Sequence, residues 1–587
     1  MAYHIRSYCL CCHYCALECP TGAIRYMGTQ YQIDPELCVE CGKCLECCNV
    51  DAIDTGVVTQ PVPHEPKVLD ADVVVLGAGA GGVIAAVRAA ELTGGKVVVL
   101  EKAKKPGGSG WFAGFGLQLG EGGGPGGPGG PGGGEGGPGG PGGEGAPGGE
   151  MPAMMAAMMK RKQEFISQLD ADLVSNANAA VRDVSKWLAE FPEIKSQLCE
   201  TEMFGRKSIG LNSDSDRLLF NTKCTDNAIG PGRSGSYIIW AMLQQFDRLG
   251  IELLTETAAR SLLKDEAGNC VGVIASDPGG EVRVNAKAVI CLTGGFAHND
   301  EMLKKYTPWF FTDDPTAEHV HRFAAPTNTG DVVEIGESIG AYIDYDNFYV
   351  NLFGPVHHPF TFSLFKACLE GENVCVNLNG KRFFNEGSFS DGAGPMTAQP
   401  SRIAYAIFSE KTLKIAIDRL LKGNEGKSIA HFPQDLEEEL GLEDHISLVR
   451  ADSLEELAEK AHINKENFLK TMADYNRYCQ TGVDEEFHKP AKSLVALTEG
   501  PFYGIFGKMA TDGAFGGMLV NPKAEVYKAD KSGVIPGLYA AGDCAAGLAV
   551  ATHGPGDDRK KAVGDMSWAI GGGFMAATNA AAYVSAL

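Results

Sequence analysis

The chain has 587 residues, a formal net charge of -23 and an apolar fraction of 44%. That length accommodates several domains and more than one sizeable core. The acidic balance argues against a nucleic-acid or anionic-membrane surface, either of which calls for basic patches. No run of about eighteen apolar residues occurs, so no membrane span is expected. Met1–Tyr8 also lacks the apolar stretch of a signal peptide. A cytoplasmic, reducing location is the expectation.

The first predicted element is a cysteine module over residues 1–53. Of 18 cysteines, ten crowd into residues 9–48. They read Cys9-x2-Cys12-x2-Cys15-x3-Cys19-Pro20, then Cys38-x2-Cys41-x2-Cys44-x3-Cys48. This is the bacterial two-cluster ferredoxin run, written twice. Thiolates are soft ligands that suit iron–sulfur clusters. The tight spacing puts three sulfurs on one cluster, and the fourth ligand of each run crosses to the other. Cys9, Cys12, Cys15 and Cys48 are therefore expected to hold one 4Fe–4S cluster, and Cys38, Cys41, Cys44 and Cys19 a second. The implied fold is a small α+β ferredoxin-like domain. Structural zinc is the competing reading, but zinc sites space their cysteine pairs further apart. Cys11 and Cys47 are left over and read as buried free thiols. Two such clusters relay single electrons, which points to an outside one-electron partner such as ferredoxin or flavodoxin. Cluster potentials span about −700 to +450 mV, so the ligand pattern leaves the direction open.

Residues 54–70, with Pro61, Pro63 and Pro66, read as a stiff extended linker. A nucleotide-binding α/β domain follows. Val73–Leu76 is a short buried-type strand, Gly81–Leu92 a helix and Lys96–Leu100 a second strand, which makes a parallel βαβ unit. Between the first strand and the helix stands Gly77-Ala-Gly79-Ala-Gly-Gly82. Gly77 permits the tight turn, Gly79 lets the backbone approach a pyrophosphate, and Gly82 allows close helix–sheet packing. Glu101, 19 residues after Gly82, is placed to bind a ribose hydroxyl. Strand, helix and spaced acid together mark a dinucleotide site without choosing between NAD and FAD.

Residues 120–150 are a Gly/Pro insert of repeated triplets. Two readings stand: a disordered loop, or a threefold left-handed extended helix packed against the domain or between chains of a homo-oligomer. The methionine-rich stretch 151–159 reads as core packing, or as a soft apolar cover for an entrance or an interface. Further on, 182–199 and 435–480 are mostly helical in pattern. Val289–Leu292 and Gly537–Ala541 are short apolar segments that lead into glycine.

Several short pieces then recur in a telling order. They are Gly107-Gly108-Ser109-Gly110, Leu292-Thr-Gly294-Gly295-Phe296, Asn328-Thr-Gly330-Asp331 with Ile339-Gly-Ala341, Asn377 through Glu386, Gly516-Gly517, and Pro536 through Gly542-Asp543. From about residue 71 to the end, apart from the insert, the chain resembles the fumarate reductase/flavocytochrome c flavoprotein family. The resemblance implies an α/β fold with a Rossmann-like FAD-binding domain over 71–340 and 501–587, and an inserted substrate-capping domain over 341–500. It implies FAD, with Lys102, Gly108, Ser109, Gly294, Gly330 and Asp331 joining Gly77, Gly79, Gly82 and Glu101 as cofactor-binding positions. Gly542 and Asp543 would lie near the phosphate and ribityl chain. The glycines at 571–573, Gly572 among them, would open the last helix and point N–H groups at the flavin ring. No histidine follows Ser109, so the flavin is expected to be noncovalent.

The chain also departs from that family. Ser390 stands where the family carries its proton-donating arginine, and Thr511-Asp-Gly513 lacks the substrate-clamping histidine. His553-Gly-Pro-Gly-Asp-Asp-Arg559 replaces the C-terminal clamp, while His358-Pro359 matches a histidine of the substrate pocket. A buried dicarboxylate without cationic partners is costly. The departures therefore argue against fumarate and for an enoate or enone that is larger or less charged. His358, His553 and Arg559 are the catalytic candidates, with His357 and Tyr345 as further proton donors. Arg382 and Glu386 read as structural residues near the flavin. The expected activity is reduction of an activated C=C bond. The alternatives are a dehydrogenase running the opposite way and an electron-transfer subunit without a small-molecule substrate.

Overall fold

The computed structural model describes residues 3–10, 14–26, 30–57, 60–112, 117–118, 168–195, 198–203, 206–211, 234–310, 320–357, 368, 371–387, 392–423, 448–550 and 560–587. The Gly/Pro insert and the methionine stretch lie outside them.

The N-terminal module is a small α+β unit with an internal repeat. Strand His4–Ile5 pairs antiparallel with Ile53–Asp54, and Ile24–Tyr26 with Tyr31–Ile33. Two short helices, Tyr14–Leu17 and Lys43–Cys47, carry cysteines. Cys19-Pro-Thr-Gly-Ala23-Ile24 and Cys48-Asn-Val-Asp-Ala52-Ile53 are the two copies of one turn. In both, the alanine and isoleucine are buried, and Ile24, Ala52 and Ile53 share a core with Tyr31 and with Cys15, Cys44, Cys47 and Cys48.

The linker is docked along its second half. The His64 N–H donates to the Gly279 carbonyl at 3.0 Å. His64 Nε2 and Lys67 Nζ each lie 2.7 Å from the Asp277 carboxylate. Lys67 above all, with His64 and two backbone N–H groups, holds Asp277 well below the usual carboxylate range. The first Rossmann strand accordingly starts at Lys67 and runs to Leu76, longer than the apolar run suggests. Its outer half is exposed or half-buried, and only Val73–Leu76 are fully buried.

That strand lies parallel between Val97–Leu100 and Gly280–Cys291. Glu252–Leu254 extends one edge, and Val534–Ala540 pairs parallel with the far end of Gly280–Cys291. Ala258–Lys264 and Cys270–Asp277 continue antiparallel on the other side. Val73–Leu76 and Val97–Leu100 are buried throughout, as parallel strands covered on both faces must be. Helix Ala80–Thr93 packs on the last helix, Asp565–Ala586, which also packs on Ala171–Leu188. The expected helix at 182–199 is displaced: it runs Ala171–Leu188, restarts briefly at Pro192–Lys195, and gives way to strand Leu198–Met203. Pro192 explains the break, because the residue before a proline disfavours the helical region.

A second sheet forms around the long strand Phe502–Phe515. It pairs antiparallel with Tyr349–His357, Ile403–Ser409 and Leu448–Ala451, and parallel with His321–Arg322. Its separate core includes Val374, Ile407, Leu457, Phe468, Tyr475 and Phe506. Helices Leu454–Lys460 and Lys465–Thr481 cover it. Phe502–Phe515, which follows the boundary expected at 500/501, is the central strand of this second sheet. The strand lies between two cores: Phe502 and Phe506 are buried in this one, and Tyr503, Ile505, Met509 and Ala514 in the core shared with the Rossmann sheet.

Candidate functional site

The glycine turn has the geometry its motif demands. Gly77 has φ 99°, and a Cβ there would stand 2.3 Å from the Leu292 carbonyl oxygen. A Cβ on Gly82 would stand 1.9 Å from the Gly77 oxygen, so both positions exclude a side chain. Gly79 is different: a Cβ there meets only the Gly107 oxygen, at 3.9 Å. Space is thus left before the first turn of Ala80–Thr93, whose leading N–H groups have no intrahelical acceptor. An open backbone at a helix N-terminus fits a pyrophosphate.

Glu101 is buried at the end of the second strand. Its Oε2 accepts the Ala78 N–H at 2.8 Å and its Oε1 the Ala103 N–H at 2.7 Å. Burial pushes its pKa up against these donors. Each oxygen keeps lone-pair capacity for a further donor.

The other segments converge on this turn. The Gly107 N–H donates to the Ala78 carbonyl at 2.8 Å, and Gly107 and Gly108 have φ 125° and 50°. Ser109 Oγ accepts from Ala325 N at 2.9 Å and Asn328 Nδ2 at 3.0 Å. A Cβ on Gly294 would stand 2.3 Å from Asn328 Oδ1. Gly330 caps helix Asp331–Ile339 at φ 80° and donates to the Gly295 carbonyl at 3.0 Å. Lys102 Nζ donates to Thr329 Oγ1 at 2.5 Å and to Asp331 Oδ2 at 2.7 Å. The Gly516 N–H donates to the Asp543 carbonyl at 3.1 Å, next to Gly542 at φ 69°. The structure thereby brings together Gly77, Gly79, Gly82, Glu101, Lys102, Gly108, Ser109, Gly294, Gly330, Asp331, Gly542 and Asp543. Sequence reasoning missed Asn328 and Thr329, although the polar pair before Gly330-Asp331 was a visible signal.

Gly572 is corrected. The last helix opens at Asp565, so the three glycines lie inside it. They serve close packing: Cβ atoms would stand 2.8 Å from Val181 Cγ2 at Gly571, 2.8 Å from Ala541 Cβ at Gly572, and 2.5 Å from the Gly81 oxygen at Gly573. Their place in the helix interior removes the basis for free N–H groups aimed at a flavin.

His358, His553, Arg559 and Ser390 lie outside the described residues. Strand Tyr349–His357 ends immediately before His358, with His357 opposite Gly507. Ala549–Val550 pairs antiparallel with Lys560–Lys561, joining the two ends of the segment that holds His553 and Arg559. Tyr345 is corrected as a donor: it is exposed, stacks on Tyr306 and donates to the Glu337 carboxylate. Arg382 and Glu386 sit in a buried ion cluster of the cap. Arg382 Nη2 lies 2.7 Å from Glu386 and 2.8 Å from Asp484, with all three side chains fully buried, and Lys489 Nζ stands 3.6 Å from Glu386.

The cysteines form a second constellation. Cys19, Cys38, Cys41 and Cys44 line one cavity together with Ile24 and Ile33. Cys19 Sγ accepts the Ala23 N–H at 3.3 Å, and Cys48 Sγ the Ala52 N–H at 3.2 Å, so the repeat extends to the sulfurs. Burial pushes the Cys44 thiol up to about 11, with Cys38 and Cys41 beside it adding to the shift. Cys9, Cys15 and Cys48 adjoin the module's core, while Cys12 and Cys11 lie outside the described residues. Cys47 is a buried free thiol. Among the described residues no group of three or more His, Cys, Asp or Glu could hold a single metal ion. One cysteine of the first run and three of the second thus line the same cavity.

The FAD binding domain family matches residues 159–557, more than half of the chain. Fumarate reductase (cytochrome) of Shewanella frigidimarina is 26% identical over 525 residues, covering 89% of this chain and 78% of that protein. Urocanate reductase of Eggerthella lenta is 28% identical, covering 82% of this chain and 71% of that protein. The open conformation of a flavocytochrome c3 fumarate reductase superposes with a TM-score of 0.60 at 22% identity, over 88% of this chain and 79% of that one, a likeness of fold. Among the described residues no helix is long and apolar enough to cross a membrane. The glycine turn precedes the matched span, yet it closes the same cradle. The chain belongs to the FAD binding domain family, and fumarate reductase-like flavoproteins are among its relatives.

Proposed function

We propose that this chain reduces the activated C=C bond of an enoate or enone other than fumarate, using noncovalent FAD and two 4Fe–4S clusters fed by a one-electron donor such as ferredoxin or flavodoxin. The observation that carries the reading is the convergence of the glycine turn, Glu101 and the 107–109, 292–296, 325–331 and 541–543 segments on one cradle. The reductase character follows what the relatives' names say they act on, fumarate and urocanate, both enoates. The cavity shared by Cys19 from one run and Cys38, Cys41 and Cys44 from the other supports the clusters.

When bound, FAD supplies hydride at N5, and the clusters supply electrons singly. Gly79 and Gly108 offer bare backbone to the pyrophosphate, and Glu101 accepts from the ribose. Lys102, with Thr329 and Asp331, ties the 329–331 turn to the end of the second strand and closes the cradle. The capping sheet screens the reacting face from water. His358, His553 or Arg559 delivers the proton that completes reduction. Ser390 in place of the family's arginine, and Thr511-Asp-Gly513 without its histidine, remove two groups that would hold a dicarboxylate, which disfavours fumarate.

The test is anaerobic. Dithionite-reduced protein is mixed with a panel of enoates and enones, aromatic ones included, and flavin reoxidation is followed by absorbance. Rapid reoxidation by one substrate group and none by fumarate is expected. Reoxidation only by a redox protein would overturn the reading in favour of an electron-transfer subunit.

A further inference from the structure

Lys105 stands between Glu101, at the end of the second Rossmann strand, and Gly107, which is bonded to the glycine turn through Ala78. Its ammonium group reaches away from that turn into the cysteine module. It donates to the main-chain carbonyls of Leu45 at 3.3 Å, Glu46 at 2.8 Å and Cys48 at 3.0 Å. These acceptors lie at the C-terminal end of helix Lys43–Cys47, where carbonyls lack intrahelical donors and a cation is favoured. The contact is not isolated. Lys104 pairs with Asp51 at 3.0 Å. Leu10, the neighbour of Cys9, is 2% exposed and buried in the core of the flavin domain, and Val50 packs against the same core. The module therefore meets the flavin domain along the side that carries Cys9 and Cys48. On the cavity side, Cys41 is exposed and Val39 is 62% exposed.

We propose that Lys105 is a positioning residue that seats the Cys9 and Cys48 side of the cysteine module against the flavin cradle and raises the reduction potential of the cluster on that side. The Cys19, Cys38, Cys41 and Cys44 cluster is then the one an external donor reaches. The inference rests on the cluster reading above. A fixed cation beside a ligand's main chain favours the added electron, since charge and hydrogen bonding near the sulfurs set cluster potentials. In balance, a reduced one-electron carrier of the ferredoxin or flavodoxin class is oxidised twice. Both electrons pass the exposed site and then the seated one, and with protons from water they leave FAD reduced by two electrons. Lys105 sits on the same short loop as Gly107 and Gly108, so one segment of chain touches both redox centres.

The experiment is potentiometric titration of the anaerobic holoenzyme, read by electron paramagnetic resonance, together with stopped-flow reduction of the flavin. Cys41→Ser first identifies the signal of the exposed cluster by changing it. Lys105→Met is expected to lower the midpoint of the other signal and to slow flavin reduction about tenfold, the scale of a lost charge-assisted hydrogen-bond set. Lys43→Met, at an exposed lysine lining the cavity, is expected to move the Cys41-sensitive signal instead. Should Lys105→Met not accumulate, Lys105→Gln reads the same shift. A Lys105 variant that moves the Cys41-sensitive signal, or neither signal, overturns the proposal, and a pure helix-capping role moves neither. Wild-type protein without acid-labile sulfide and cluster signals would sink the cluster reading itself, an outcome seen before any variant is made.

Discussion

Arg382 is held wholly out of water by two carboxylates, Glu386 and Asp484, with Lys489 close by. Arg382→Met would strand two buried negative charges beside one lysine. A loss of about 3–5 kcal/mol is expected in denaturant unfolding of the cap. Lys is not a substitute, because the bidentate fork is lost. The pH dependence has a definite sign. Asp484 is buried, which opposes ionisation, yet Arg382 and backbone N–H groups hold it down at about 2. A depressed carboxyl contributes stability above its unfolded pKa of about 4 and loses it as pH falls through the folded value. The stability gap between wild type and Asp484→Asn should be constant from neutral pH to about 5, then close by about 2. A gap that widens on acidification would refute the pairing. At the cradle, Glu101→Gln retains one acceptor oxygen for two backbone donors, Ala78 and Ala103. The orphaned N–H costs about 1–3 kcal/mol, so FAD affinity should drop about tenfold or more in a flavin-release titration.

At the scale of elements, the strand–turn–helix unit was legible because its information is local. Three glycines, a run of valines and an acid at fixed spacing leave few alternatives for the backbone, and the helix begins at Ala80, one residue from where the pattern puts it. The last helix was not legible in the same way. Glycines usually mark a helix end, but Gly571 to Gly573 are interior positions that let the helix approach Gly81 and Val181. Gly82→Ala and Gly573→Ala separate the two uses. A methyl at Gly82 collides with the turn itself, 1.9 Å from the Gly77 oxygen, so protein is expected without flavin. A methyl at Gly573 pushes two helices apart, at a cost of about 1–3 kcal/mol seen as a lower melting temperature with flavin retained. Equal flavin loss in both variants would contradict this division.

At the scale of the molecule, one core joins the Rossmann sheet to one face of the capping sheet, a second lies on that sheet's other face, and a third serves the cysteine module. A ligand bound by the folded cradle alone stabilises that part by mass action, about 2.7 kcal/mol at a hundredfold excess over Kd. Added FAD should therefore raise the melting transition of the Rossmann part in proportion to its logarithm. A transition indifferent to FAD would count against the cradle. The cysteine module joins that part through Leu10, Lys104 and Lys105, so the same addition should protect amides around residues 43–48 in hydrogen exchange.

Read as a string, the chain already carries the dinucleotide turn, the twofold cysteine run and the order of the flavin-family segments, because each depends on residue types at short, fixed separations. Folding alone settled three other matters. Phe502–Phe515 packs into two cores at once, the last glycines are packing surfaces, and Lys105 bridges module and cradle. Each of these turns on which partner, tens or hundreds of residues away, buries a side chain or accepts a hydrogen bond. Local periodicity records that a face is apolar or that a residue is charged, but the identity of its neighbour is settled only when the sheets close and the cores fill.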